Sequence, residues 1–153
     1  MNLIEKLSKI QQELVAPKNQ RNAFGNYSYR SAEDIMSSVK PLLNKYNVAI
    51  TCGESIFSEK ERVFVESTIT LWDGESEQFL TNKSPARETE ERKGMDSAQI
   101  TGSAISYCRK YALSGLLLCD DTPDADRLND GTPTPPAPTN SPDDEFVDDE
   151  FNF

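Results

Sequence analysis

Between Asn2 and Ala16 the apolar residues Leu3, Ile4, Leu7, Ile10, Leu14 and Val15 recur at steps of three and four, the period of an amphipathic helix, and Pro17 closes it. Residues 17–30 lose that period and mix turn formers with bases and rings, which predicts a loop or a short extended segment. Ser31 suits an N-cap, with Asp34 in the acid-favoured first turn, so a second helix is expected there. Ile35, Val39, Leu42 and Leu43 form its buried stripe, and Pro41 predicts a kink or a break into two pieces. Alternation then replaces the helical period: Val48 to Thr51 and Val63 to Trp72 read as strands, Asp73-Gly74 as a turn, and Gln78 to Thr81 as an antiparallel return. Residues 82–95 are polar and aperiodic, the pattern of a long mobile loop. Asp96 and Gln99 resemble a capping box for a last helix, which runs to about Ser114, where Gly115 can end it. Helix, helix, strands, helix is an α+β order.

Composition changes after Cys119. The Pro-rich run from 132 to 142 cannot bury a core and reads as an extended linker to a disordered acidic end. The ordered domain is therefore expected over residues 1–122 and the linker and tail over 123–153. This division alters the meaning of the net charge of −10. From Asp120 onward there are eleven acids and one base, Arg127, whereas residues 1–119 hold fifteen of each. The folded part is neutral and can carry a basic groove, so the acidic total does not argue against a polyanionic partner.

Histidine is absent, which removes the commonest general base and the commonest zinc ligand together. Cys52, Cys108 and Cys119 are odd in number and far apart, and read as buried thiols of a reducing compartment rather than a disulfide framework. The first residues are too polar for a secretory signal and no apolar run is long enough for a bilayer, so a soluble intracellular protein is expected. No G-x-x-x-x-G-K-[ST] run cradles a nucleotide, and the carboxylates are scattered or gathered in the tail rather than clustered for a metal-dependent nuclease. The expectation is a non-enzymatic protein with no cofactor and no metal site.

On a wheel of about 100° per residue, Ala98, Thr101, Ala104, Ile105, Cys108, Tyr111, Ala112 and Leu116 share one face of the last helix. Gln99, Ser103, Ser106 and Lys110 occupy the other, with Gly102 and Arg109 at its edge. Small residues there leave room for a sugar-phosphate backbone within reach of Arg109 and Lys110. The same pattern also describes the solvated side of an ordinary amphipathic helix. Lys18, Arg21 and Arg30 are interleaved with Phe24, Tyr27 and Tyr29, a mixture of charge and stackable rings that single-strand binders use, although the tyrosines serve equally well as core residues. Lys83, Arg87, Arg92 and Lys93 extend the candidate surface, with Glu88, Glu90 and Glu91 neutralising much of it.

Two segments resemble the Erf family of phage recombination proteins: Phe24-Gly25-Asn26-Tyr27-Ser28-Tyr29-Arg30-Ser31-Ala32-Glu33-Asp34-Ile35 with Val39-Lys40-Pro41-Leu42-Leu43 after it, and the run from Gln99 to Leu117. The similarity covers roughly residues 5–121, and Pro41 belongs to the family pattern. The resemblance implies a β-β-β-α core distantly like that of the eukaryotic Rad-type annealing proteins, assembled as a homo-oligomeric ring or helical filament with single-stranded DNA in a basic outer groove. It makes Arg109 the best match to a DNA-contacting arginine. Lys110 replaces an arginine common there and loses the bidentate fork, and Leu118 stands where a small residue or glycine is usual. The implied function is single-strand annealing in ATP-independent homologous recombination, in the cytoplasm of a bacterial host and encoded by a phage or prophage.

The last residues alternate acids with rings and end on Phe153, and are similar to the acidic tip of bacterial single-stranded DNA-binding proteins. Phe146, Asp148, Asp149, Glu150, Phe151 and Phe153 are thus candidates for recruiting the host single-stranded DNA-binding protein or repair proteins, or for folding back over the groove as a competitor of DNA. A plain solubilising tail is the simpler alternative. The competing function is a single-strand-binding or adaptor protein that works through this tail without annealing.

Overall fold

Each helix in the described residues starts on a reciprocal pair of hydrogen bonds, in which the N-cap residue and the residue three places on each donate a backbone N–H to the other's side chain. In the computed structural model, which describes residues 1–22, 27–91 and 93–119, α1 (Leu3–Glu13) opens on Asn2 with Glu5 and α2 (Ala32–Lys45) on Ser31 with Asp34. The last helix, α3 (Ser97–Leu117), opens on Asp96 with Gln99. These capping boxes satisfy amide donors that have no partner within the first turn. Between α1 and α2, β1 (Gln20–Asn22) pairs antiparallel with β2 (Tyr27–Tyr29), and the Gln20 amide reaches the Asp34 carboxylate at 3.3 Å. Burial tends to raise the Asp34 pKa, but hydrogen bonds from Ser31 and Gln20 outweigh it and leave the carboxyl below its ordinary value. The expected break at Pro41 does not occur. The helix runs through it, with the proline ring on the exposed side.

The main sheet is an antiparallel meander in the order β3 (Val48–Glu59), β4 (Arg62–Asp73), β5 (Phe79–Arg87). Its register sets two faces. Ile50, Leu71 and Leu80 lie in one row of the inner face, followed by Cys52, Ile69 and Asn82, then Glu54, Ser67 and Ser84. Against this face lies α3, with α1 and α2 packed in turn on α3. The buried cluster joins all three helices to the sheet through Leu3, Ile10, Ile35, Val39, Ile69, Leu71, Leu113 and Leu117. The buried Ser67 hydroxyl meets the buried Cys108 thiol at 3.1 Å, so neither polar atom is stranded. The mixed architecture is α+β as expected. The predicted tail, from 123 on, lies outside the described residues.

Three further expectations change. The first strand is not four residues but twelve, because Lys60 and Glu61 form the hairpin tip with φ of 48° and 63°. Both tip residues adopt the left-handed conformation that usually signals itself as Asn-Gly, and a Lys-Glu pair gives no such signal. The supposed loop of residues 82–95 begins as strand: β5 continues to Arg87, its residues alternating between faces, and only the remainder leads irregularly to α3. Gly115 does not end α3. A Cβ at Gly115 would come within 2.7 Å of Asn82 Nδ2, whose amide donates to the Ala112 carbonyl at 2.8 Å, so this glycine permits close approach of helix to sheet. The helix ends instead on Leu118, in the left-handed region at φ 54° and 69% exposed.

The β4–β5 turn gathers the rest of the chain. Lys6 of α1, only 2% exposed, donates to Asp73 at 2.7 Å and to Glu75 at 3.0 Å. The amide of Gly74 donates to the Asn47 carbonyl at 2.9 Å, an approach so close that a Cβ on Gly74 would lie 2.6 Å from that oxygen. The hydrogen bond that Lys6 donates holds the Asp73 carboxyl below its usual range, and donating to Asp73 and Glu75 holds Lys6 above its own.

Two outcomes are expected. Leu118→Gly relieves the left-handed strain at a position with little packing to lose, and should stabilise the domain by up to about 1 kcal/mol in denaturant unfolding. Because the folded-state pKa of Asp73 is depressed, its contribution is complete above the ordinary carboxylate value and is lost as pH falls through the lowered one. Thermal melts across that acid window should show Asp73→Asn less stable than the parent at neutral pH and less sensitive to acid.

Candidate nucleic-acid interface

The basic residues of α3 do not act as one patch. Successive helix positions diverge by about 100°, and packing carries the two side chains to different neighbours. Arg109 turns toward β3, where its Nε and Nη2 donate to the same Glu54 oxygen at 2.9 and 2.6 Å. The pair is partly open, with side-chain exposures of 27% and 23%. Burial works against the Arg109 charge, but the Glu54 hydrogen bond and charge more than offset it. Glu33, in the first turn of α2, also adds to the field at Arg109, which places the start of α2 toward this part of α3. Burial pushes the nearby Cys52 thiol up, so it is not a reactive thiolate.

Lys110 points away from Glu54. Its ammonium lies 4.9 Å from the centroid of Tyr111 and 5.7 Å from that of Tyr107. The two rings are 4.7 Å apart and tilted by 52°. Tyr111, expected on the buried face, is 42% exposed and Tyr107 is 55% exposed, while Leu113, Ser114 and Leu117 are buried instead. A single wheel assumes one buried face. α3 is covered by the sheet on one side and by α1 and α2 on another, which shifts the exposed strip to Ser106, Tyr107 and Tyr111. Ser103 is half-buried near that strip, and no atom comes within 4 Å of where a Gly102 Cβ would stand, so this side of the helix is open.

The remaining candidates are dispersed. Lys18, Arg21, Tyr29 and Arg30 sit on or beside the β1–β2 hairpin and are all engaged in interactions within the fold. The side chain of Tyr27, all of Phe24 and all of Arg92 fall outside the described residues. Lys83 lies on the opposite sheet face and is paired with Glu66 at 2.8 Å. Arg87 ends β5 beside a recess of about 610 Å³ that Glu88, Glu90 and Glu91 also line, a setting that repels phosphate. Lys93 is exposed in the turn before α3. The tail residues Phe146 to Phe153 are likewise outside the described residues. Among the described residues no three acids or cysteines gather to hold a metal ion, and no helix is long and apolar enough to cross a membrane.

The arrangement defines a class: a small α+β domain whose long helix backs a three-stranded meander and presents its cations away from the core. The sequence model of the ERF superfamily matches residues 3–149, and the chain belongs to that family. It is 47% identical over 121 residues to the Essential recombination function protein of Salmonella phage P22, a match covering 79% of this chain and 57% of that protein. The chain thus spans little more than half the length of this relative. The family match reaches beyond the 5–121 expected from the quoted segments and takes in most of the acidic tail.

Glu54, the partner of the candidate Arg109, was not legible in the sequence, since it lies in the half of β3 hidden by the unsignalled hairpin tip. A partly exposed ion pair contributes only about 0–1 kcal/mol, so a phosphate can replace the carboxylate at small cost. Glu54→Gln should therefore leave stability within about 1 kcal/mol and tighten oligonucleotide binding by up to about fivefold at low salt. Titration of a labelled strand checks this; a large loss of stability with unchanged affinity would make the pair structural.

Proposed function

We propose that this chain binds single-stranded DNA and anneals complementary strands during homologous recombination, without nucleotide hydrolysis. The observation that carries the reading is the extended identity with a phage recombination function protein, which runs through the whole of α3. In this reading residues 1–122 bind DNA and self-associate, and residues 123–153 are a linker and partner-binding tail. Arg109, exchanging Glu54 for phosphate, and Lys110 are the principal cations, with Ser103 and Ser106 allowing the backbone close to the helix. Lys18, Arg21, Tyr27, Tyr29 and Arg30 extend the surface from the β1–β2 hairpin, while Lys83, Arg87, Arg92 and Lys93 are peripheral.

One subunit offers few phosphate contacts. Repetition in a ring or filament of identical subunits turns a small patch into a tight binding track, because each further contact is made at high effective concentration. Strands held by their phosphates keep base edges available. Pairing then supplies stacking free energy, and the protein has only to concentrate and align the strands. The acidic, ring-bearing end supports recruitment of a host single-stranded DNA-binding or repair protein in the bacterial cytoplasm. The same feature favours the second reading, a single-strand binder or adaptor without annealing activity.

Complementary oligonucleotides mixed with the full chain and no ATP should pair faster than alone. Arg109→Ala and Lys110→Ala should each weaken strand binding and reduce the slope of log affinity against log salt by about 1, with assembly intact by light scattering. Binding without faster pairing would favour the adaptor; a monomer that ignores oligonucleotides at low ionic strength would sink both.

A further inference from the structure

Among the described residues, three groups of exposed or half-buried rings stand outside the buried core. On the outer sheet face Trp72 and Phe79 pack at 5.0 Å, with the Trp72 indole N–H already given to Thr51 at 2.8 Å. At the far end of that face Phe57 stacks on Phe64 at 5.4 Å, in the same cross-strand row as Arg87. That row ends beside the carboxylate-lined recess after β5, and Lys83 on the same face is neutralised by Glu66. The third group, Tyr107 and Tyr111 on α3, differs in its charge. The Lys110 ammonium lies over both rings and makes no ion pair with a described residue, so two exposed aromatic surfaces share one cation.

We infer that Tyr107, Lys110 and Tyr111 form a nucleotide platform, on which the tyrosines stack unpaired bases and the lysine holds an adjoining phosphate. The inference rests on the reading of the chain as a single-strand binder and names the residues that give it preference for unpaired DNA. A ring and a cation at i, i+3 and i+4 on one helix face match the two chemical halves of a nucleotide, a π-surface and an anion. From Ser103 to Tyr111 the helix rises about 12 Å, room for about three nucleotides at the stacked spacing of 3.4 Å. A second copy of the chain is a less suitable occupant. The middle of a protein interface is depleted in lysine, and here a lysine sits at the centre of the cluster.

Stacking also fits annealing. It uses the face of a base and leaves its hydrogen-bonding edge outward, where an incoming strand can read it. Once paired, the base stacks on its duplex neighbours and no longer presents a free face, so the platform releases the product while retaining unpaired strand.

The test compares a poly-dT oligonucleotide with one of equal length carrying abasic sites, using the full chain. The parent should bind the abasic strand roughly ten- to a hundredfold more weakly. The double variant Tyr107→Ala, Tyr111→Ala should lose that difference, Tyr107→Phe with Tyr111→Phe should keep it, and Lys110→Ala should weaken both strands alike. Equal binding of the two strands by the parent overturns the platform and leaves DNA binding standing; binding of neither overturns the functional reading and the platform with it. A parent oligomer that falls apart in the alanine variant but keeps its base discrimination makes the rings a subunit contact instead, which also overturns the inference.

Discussion

Burial of α3 against the inner face of β4 is the contact on which the rest of the molecule depends. Ile69 and Leu71 on the strand and Leu113 and Leu117 on the helix belong to the same buried cluster, and the Ser67–Cys108 contact closes its polar end. Such a helix and sheet approach closely only where side chains permit, and Gly115 beneath Asn82 provides the gap. α1 and α2 then cover the flank of α3, fastened by Lys6 to the β4–β5 turn and by Tyr46 and Lys45 to Glu13 at 2.5 and 2.7 Å. Hydrophobic burial supplies most of the free energy, and the polar clasps fix which elements meet.

Because the C-terminal half of α3 is enclosed on two sides, few of its residues are open to solvent, and that geometry separates its two cations. Arg109 faces an acid on the edge strand and is held in a weak, replaceable pair. Lys110 faces two rings and, among the described residues, pairs with no acid. One helix therefore holds its cations in two different settings: an arginine paired with a carboxylate, and a lysine set among aromatic surfaces. The neutral balance of charge in residues 1–119 is compatible with this, since what matters to a polyanion is which cations are left without a fixed partner, not their sum.

Much of the architecture was legible in the chain. Capping signals at Ser31 and Asp96, the alternation through Val65, Ser67, Ile69 and Leu71, and the Asp73-Gly74 turn are local features, and local physics produces the helices and the central strand they announce. The family resemblance was carried by two segments that take in β2 with α2, and α3. Failures fell where the signal was not local. Lys60 and Glu61 turn the chain without turn residues, and the polar alternation of β5 passes for a loop because its inward positions, Asn82 and Ser84, meet α3 and β4 rather than solvent.

Sequence by itself determined the helices, the central strand, the division of charge between the first 119 residues and the end, and the kinship, because each depends on neighbours along the chain or on residue identity. Tertiary structure alone decided that Arg109 meets Glu54, fifty-five positions away, that Tyr111 is exposed while Leu113 and Leu117 are buried, and that Lys110 rests on two rings. The physical reason is that a side chain's periodicity gives its direction on its own element, whereas its partner depends on which other elements cover that element and from how many sides.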